Sequence, residues 1–283
     1  MRIQALIATS VLAFPLTALA EGDSPWLPIP GQLLLGVNHA HQSAKDAYIG
    51  DTKVSISNIT SGAASTFKRT TTSFSLNYGL SDAVSLDATL GYGKVDAGAA
   101  DDDSGMLDSV VGAKWRVLDE FEAPMLPTVT LRAALIINGN YNGARLAGLG
   151  NDANGYELAA IMGKQLTSEL ALWGELGFQD RSSDVPSATF VELGARYRVA
   201  PQWSTSIGYA AKRYAGSLDI GGTGFTADRF QQVKEERNVA KLSVGYAIAG
   251  NQGVALNLAR VVGDGRNTNN DNQIIGVSYT YGL

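Results

Sequence analysis

The chain contains no cysteine and only two histidines, His39 and His41. Without thiols there is no disulfide, no thiolate metal site and no cysteine nucleophile. Two histidines without an H-E-x-x-H spacing argue against a zinc enzyme. Charged residues make up only 17% of the chain. Beyond the first twenty residues no stretch approaches the ~18 consecutive apolar residues of a membrane helix. Helix signals are scarce throughout. What is abundant is glycine, 32 residues, in a chain whose mean hydropathy is near zero. That combination suits an all-β chain with many turns.

Met1 and Arg2 form a short basic start, Ala5 to Leu19 is mostly apolar and interrupted by Pro15, and Ala18-Leu19-Ala20 has a small-x-small pattern. These are the parts of a cleaved signal peptide over residues 1–20, so export is expected and the mature chain should begin at Glu21. Without the leader, 21 Lys and Arg stand against 27 Asp and Glu, a net charge of −6. Mild acidity of that kind argues against nucleic acid as a partner. The remaining 263 residues can form one large domain or two small ones.

Period-two alternation recurs along the whole chain. Phe74, Leu76, Tyr78 and Leu80 alternate with Ser73, Ser75, Asn77 and Gly79, and after a turn at Ser81-Asp82 the run Val84, Leu86, Ala88, Leu90, Tyr92 does the same. Comparable runs centre on Val111–Val117, Val129–Ile137, Tyr156–Met162, Leu170–Phe178, Thr189–Val199, Trp203–Ala211, Leu242–Ile248 and Val254–Leu258. With Leu33–Val37 and the terminal Ile275–Leu283, twelve strands are expected. Successive strand side chains face opposite ways, so each strand has one apolar face and one face of small or polar residues.

The connections alternate between short (for example 167–169 and 200–202) and long and polar (45–66, 96–107, 139–153, 180–187, 217–236, 263–271). An even strand count with short and long turns in alternation is the pattern of an outer-membrane barrel. The reading is therefore a single transmembrane antiparallel β-barrel of about twelve strands with periplasmic termini. Residues 21–30 form a short periplasmic segment and residues 31–283 the barrel. A periplasmic β-sandwich would also alternate, but its second face should carry Lys, Glu and Thr; here it carries Gly, Ser and Ala. The aromatics Tyr92, Trp115, Phe178, Tyr197 and Trp203 fall at strand ends, as girdles at the membrane interfaces do. The loop 217–236 has room for a hairpin extension.

The stretches NYGLSDAVSL (77–86), GAKWRVLD (112–119) and GYELAAIMGKQLTSELALWGELGFQDR (155–181), with WLPIPGQ (26–32) before the first strand, resemble a family of outer-membrane proteins. It is the family grouped with the MetA-pathway of phenol degradation, also described as XagA-like or transporter-like. The resemblance implies uptake of small, often aromatic compounds, and it brings no catalytic residues. Such barrels more often end in Phe; this chain ends in Leu283, which bears on recognition by the barrel-assembly machinery through the terminal strand.

No constellation demands chemistry, so no catalytic residue, metal site or cofactor is assigned. His39 and His41 share one face of the first strand, and a pair at the outer rim is the simpler account than a shared ion or a His41–Ser43 hydrolase pair, which lacks further ligands and triad partners. Gly148–Ala153 matches G-x-G-x-x-A but precedes a strand where a dinucleotide site needs a helix. Asp101-Asp102-Asp103 and NTNNDN (267–272) could offer oxygen ligands to calcium, yet solvated loop charge explains them.

The inward face carries the candidates for a solute path. Asp87, Arg132, Glu175, Glu192 and Lys241 are expected near mid-height. Lys114, Arg116, Arg196 and Arg198 belong towards the periplasmic mouth, and Glu157 and Lys212 towards the outer one. Charges facing lipid at mid-depth are costly, so an inward orientation follows. They either shape a polar constriction for a small solute or form a paired network that fills the interior. The expected function is a passive outer-membrane channel for small molecules, hydrophobic or aromatic ones included. Its partners would be outer-membrane lipid and the solute. The alternatives are a closed structural or surface-interaction barrel and an outer-membrane lipid hydrolase. Glu21–Pro30, with Trp26 and three prolines, can sit in the periplasmic mouth as a plug.

Overall fold

The structure, a computed structural model, describes residues 24–96, 102–141, 149–226, 228–270 and 273–283. The expected leader and cleavage site lie outside these residues, as do Asp101, Gly148 and residues 271–272. Among the described residues there are sixteen strands. In chain order they are β1 (Leu33–Ala44), β2 (Asp46–Ile49), β3 (Thr52–Ser55), β4 (Phe67–Gly79), β5 (Val84–Asp96), β6 (Asp102–Met106), β7 (Ser109–Leu118) and β8 (Thr128–Ile137). They continue as β9 (Gly155–Gln165), β10 (Leu170–Arg181), β11 (Ala188–Ala200), β12 (Trp203–Tyr214), β13 (Glu236–Ala249), β14 (Gln252–Val261), β15 (Asn269–Asn270) and β16 (Gln273–Gly282).

Twelve of them, β1, β4, β5, β7 to β14 and β16, pair antiparallel around a ring, each with its neighbours in sequence. Closure is made by β1, which pairs with β4 on one side and with β16 on the other, from Leu34↔Gly282 to Ser43↔Gln273. Leu33 N–H donates to the Leu283 carbonyl, and Leu283 N–H donates to that of Leu33. The apolar terminal strand therefore leaves no free edge, the hazard that an exposed strand presents in water.

Its apolar face is outward. Leu135, Leu176, Leu193, Ile207 and Val277 are all more than half exposed, Leu176 to 63%. A soluble protein does not show a continuous apolar belt of this extent, whereas a barrel in lipid requires one. Rings flank the belt. At the short-turn end Trp203 and Tyr246 lie 4.8 Å apart between centroids, and at the long-loop end Tyr156 and Phe178 lie 6.4 Å apart. The five aromatics expected as girdles are all exposed on the outer face. This is the architecture of an outer-membrane barrel.

The short connections are tight turns, as at Leu80–Val84 and Leu166–Leu170, where two N–H groups converge on one carbonyl. Three hairpins carry a register shift at this end, between Arg116 and Leu118, Arg198 and Ala200, and Ala247 and Ala249. Bulges of this sort commonly sit at barrel rims, where they turn strands sharply. At the other end the loops have structure of their own. The loop 217–236 has room for a hairpin extension, but its described residues form none and contain a 3-10 turn at Phe230–Gln232. The hairpin lies instead in 45–66, as β2 and β3, and β15 joins it in a three-stranded sheet above the rim. The polar loop 96–107 likewise contains β6, which lengthens the β5 hairpin.

Candidate functional site: the barrel lumen

The strand period decides what faces inward. On β8, Val129, Leu131, Ala133 and Leu135 point out, so Thr128, Thr130, Arg132 and Ala134 point in; the latter four are more buried than the former. Arg132 sits at the middle of the resulting network. Its Nη2 donates to Asp87 Oδ2 at 2.7 Å and its Nε to Asp87 Oδ1 at 3.3 Å, a two-pronged bond across to β5. Its Nη1 binds Glu157 on β9. Gln179 Nε2 donates to Glu157 Oε2 at 3.3 Å, and Lys212 Nζ donates to Gln179 Oε1 at 2.9 Å. A continuous polar chain, Asp87–Arg132–Glu157–Gln179–Lys212, thus lines the wall from β5 to β12. A planar guanidinium suits this position, since it can bind two carboxylates at once.

Two other expected residues pair as well: Lys241 Nζ lies 2.5 Å from Glu192 Oε2. Glu175 is buried and directly opposite Glu192 in register. Lys114 is buried on β7, facing Arg132 on one side and Ser85 on the other. Arg116 belongs less to the lumen than to the rim: its Nη2 donates to the Asp82 carbonyl at 2.6 Å and lies 3.0 Å from Asp119. Arg196 and Arg198 occupy the inward face of β11 at the short-turn end, and neither side chain makes a hydrogen bond or ion pair among the described residues.

The remaining wall is different in kind. From β12 round to β4 its inward positions include Ser206, Gly208, Ala210, Ser243, Gly245, Ala255, Asn257, Gly276, Gly36, Ala40 and Ser75. Ser243 donates to Asn257 Oδ1 at 2.8 Å, and Asn257 Nδ2 to Ser278 at 3.2 Å. Long charged side chains fill the wall from β5 to β11, and short ones line most of the rest, with Lys212, Lys241 and Arg69 among the exceptions.

The short-turn mouth is occupied by the N-terminal segment. Pro25 is fully buried, and Thr130 Oγ1 donates to its carbonyl at 2.7 Å. Trp26 Nε1 donates to Glu120 Oε1 at 2.9 Å, and Glu120 Oε2 also accepts from Gln165 N–H at 3.0 Å. A Cβ on Gly163 would lie 2.5 Å from Pro25 and 2.9 Å from the Trp26 ring, so the glycine makes room for the segment. At the opposite mouth Ala44, Phe67 and Val95 of the wall pack with Ile56, Tyr141 and Leu149 of the loops as an apolar cluster. Arg181 and Tyr141 both bind Asp108, which ties the loop 139–153 to that cluster.

Glu120, Trp173 and Phe190 are lumen residues that charge and periodicity had not singled out, whereas Gln179 shares the polar face of Glu175. Trp173 was legible: it lies two residues before Glu175 and so shares its face. Its ring covers Gly194, where any Cβ would collide with the indole, and Phe190 covers Gly177 in the same way. The histidines are on the outer face, exposed, with His39 Nδ1 2.9 Å from Thr72 Oγ1 and His41 Nδ1 3.1 Å from Thr70 Oγ1. His39 is level with Thr72 and Tyr92 across the β1–β4–β5 ladder, at the upper girdle, and His41 does not bond Ser43. No group of three or more His, Cys, Asp or Glu residues arranged to hold a metal occurs among the described residues.

An outer membrane channel from Pseudomonas putida F1 has a similar fold, with a TM-score of 0.70 at 21% identity over 94% of this chain and 100% of that one. The NanC porin aligns with a TM-score of 0.53 at 9% identity, covering 87% of this chain and 98% of its own. The translocator domain of the autotransporter NalP from Neisseria meningitidis aligns with a TM-score of 0.51 at 12% identity, covering 90% of each chain. No curated protein matches the sequence. Residues 40–280, nearly the whole barrel, match the family described as "Putative MetA-pathway of phenol degradation", and the chain belongs to that family.

Proposed function

We propose that the protein is a passive outer-membrane channel for small molecules, with apolar and aromatic solutes as its cargo. The observation that carries this reading is the asymmetry of the lumen. An interior built only to be solid would place large side chains all round, as small barrels do. Here long ionic side chains fill the wall from β5 to β11, while Gly, Ser and Ala line most of β12 to β4, with Lys212, Lys241 and, at the loop end, Arg69 among the exceptions. A lane past small residues, with Trp173 and the plug residue Trp26 beside it, suits a flat apolar solute better than a hydrated ion. The similar Pseudomonas putida F1 protein is itself an outer membrane channel, and the family is one described by phenol degradation. Diffusion down a gradient needs no cofactor. The short turns and both termini would face the periplasm and the long loops the exterior, as in other barrels of this type. Asp87, Arg132, Glu157, Glu175, Glu192, Lys114, Lys212 and Lys241 would set the width and polarity of the passage.

The N-terminal segment acts as a removable stopper in this reading. Refolded into planar bilayers or liposomes, the chain lacking Glu21–Pro30 should pass ions and small solutes faster than the full mature chain. It should keep the heat-modifiable gel migration of a folded barrel. If both proteins are folded and both are impermeable to ions, aromatic alcohols and aromatic acids alike, the channel reading is wrong.

A further inference from the structure

The outward apolar band is not of even height. On β10 it takes in five consecutive outward positions, Leu170, Leu172, Gly174, Leu176 and Phe178. It is as tall on β5, from Val84 to Tyr92, and on β16, from Ile275 to Leu283. Between those two strands, β1 and β4 contribute only three positions each: Leu33, Leu35 and Val37, and Phe74, Leu76 and Tyr78. Towards the loop end their outward residues turn polar, as His39, His41 and Ser43 on β1 and Thr72, Thr70 and Lys68 on β4. Successive outward residues are about 6.6 Å apart along a strand, so the band is about 13 Å shorter here. The flanks stay apolar: His41 and His39 are level with Ile275 and Val277 of β16, and Thr72 is level with Tyr92 of β5. A polar notch is thus cut into the belt.

Basic side chains gather at the notch. Thr70 has His41 on one side in register and Lys94 on the other, and Lys68 is the next outward residue of β4. Strand spacing puts the three about 8–10 Å apart at Cα, close enough for both lysine side chains to converge on one small group over Thr70. Lys68, Lys94 and both histidines are exposed, and neither lysine makes a hydrogen bond or ion pair among the described residues. Each histidine spends Nδ1 on a threonine, His41 on Thr70 at 3.1 Å, which leaves Nε2 without a partner among the described residues. Arg260 adds a cation on the far side of β16, level with Gln273, which is level with Ser43. The carboxylates facing the patch are Asp96, level with Lys68, and Asp102 beyond it; both have interactions of their own. Donors at the edge of hydrocarbon without an acceptor cost free energy that an incoming anion recovers. A phosphate monoester brings three acceptor oxygens and up to two negative charges, and basic clusters at a membrane surface recognise such head groups.

From this juxtaposition we propose that the notch on β1 and β4 binds a lipid whose head group is a phosphate monoester. The phosphate sits over Thr70, between Lys68, Lys94 and the free ring nitrogen of His41. The acyl chains run down the exposed side chains directly below, Val37, Phe74 and Leu90. Those apolar neighbours are why the occupant is a lipid and not free phosphate, which would gain nothing from them. The site lies on the outer face of the wall, so it stands whether or not the lumen conducts.

The test is native mass spectrometry of the folded mature chain in detergent, titrated with phosphatidate, phosphatidylglycerol and phosphatidylcholine of the same acyl chains. Phosphatidate should bind about tenfold or more tightly than phosphatidylcholine, the ratio expected when two lysines each contribute several-fold. Phosphatidylglycerol, a diester with a single charge, should fall between them. Lys68→Gln combined with Lys94→Gln should bring the ratio to about one, while Lys68→Arg combined with Lys94→Arg should keep it. Both pairs change exposed side chains only, and heat-modifiable migration checks that each variant is folded. Inorganic phosphate in large excess should not displace the bound phosphatidate. Equal binding of phosphatidate and phosphatidylcholine, or a preference that survives the glutamine pair, overturns the proposal. Phosphatidylglycerol binding as tightly as phosphatidate would show a response to charge alone and overturn the monoester assignment. Displacement by inorganic phosphate would show a free-anion site and overturn the lipid.

Discussion

Arg132 has the largest burden of any single side chain. It holds Asp87 on β5, beyond β7, and Glu157 on the adjacent β9, and through Glu157 it fixes Gln179 and Lys212. Removing a buried cation does not simply delete two contacts; it leaves two carboxylates facing each other without compensation. Loss of one partner from a buried ionic network costs about 3–5 kcal/mol. Arg132→Ala should therefore destabilise the barrel by about that amount in urea unfolding in lipid, even though the change also creates space. Arg132→Met in combination with Asp87→Asn and Glu157→Gln should restore most of it, because the stranded charges are gone. If the single substitution is neutral, the three residues do not form a network.

At the scale of elements, the strands were legible and the loops were not, for different reasons. Strand pattern is local: Leu131, Ala133 and Leu135 alternate with Arg132 and Ala134 whatever lies elsewhere in the chain. Loop structure depends on partners far away in sequence. Nothing in 45–66 announces that β2 pairs with Asn269 and Asn270, and the hairpin for which 217–236 has room lies in 45–66. In the lumen, periodicity puts the charges on one face but does not say who binds whom; Arg116 turns to the rim because Asp82 and Asp119 are within its reach. The face of Trp173 was legible from Glu175, but the room for its ring and for Phe190 comes from Gly194 and Gly177 on neighbouring strands, which no local pattern announces. The loop cap has its own tie. Arg266 grips Asp219 with two nitrogens, and Asn267 donates to Asp219 at 2.9 Å while accepting from Gly50 N–H at 2.8 Å and Ile220 N–H at 3.1 Å. Three loops meet there. The Arg266 bond, foremost, holds the Asp219 carboxyl below the usual carboxylate range. A carboxyl with its folded pKa depressed stabilises fully above its unfolded pKa of about 4, and that stabilisation is lost as pH falls through the lower folded value. The cap should therefore resist proteolysis unchanged from pH 7 to about 5 and loosen only in stronger acid. Arg266→Ala should make the described part of 217–236 cleavable at neutral pH, with the barrel intact. Equal protection in that variant would show that the tie does not hold the cap.

For the whole molecule, the decisive question is what its outer surface meets. In water, replacing an exposed leucine by arginine is close to neutral, because surface substitutions away from special features shift stability little. In lipid the same change near mid-depth costs about 2–4 kcal/mol. Leu193 lies midway along β11, opposite Tyr209, and is 58% exposed on the outer face. Its neighbour Glu192, one residue away, is buried on the inner face. One strand thus carries a charge on one side and an apolar surface on the other, and only a closed wall between two environments explains why both are stable. Leu193→Arg should lower the unfolding free energy in bilayers by about 2–4 kcal/mol, while Leu193→Ala should lower it by less. Moving the arginine to the girdle, as Tyr197→Arg, should cost little, since the penalty falls towards the interfaces. A depth-independent or negligible effect would mean that this face does not lie in the hydrocarbon core. The pairing of β1 with β16 would then need another explanation than a barrel closed for the membrane.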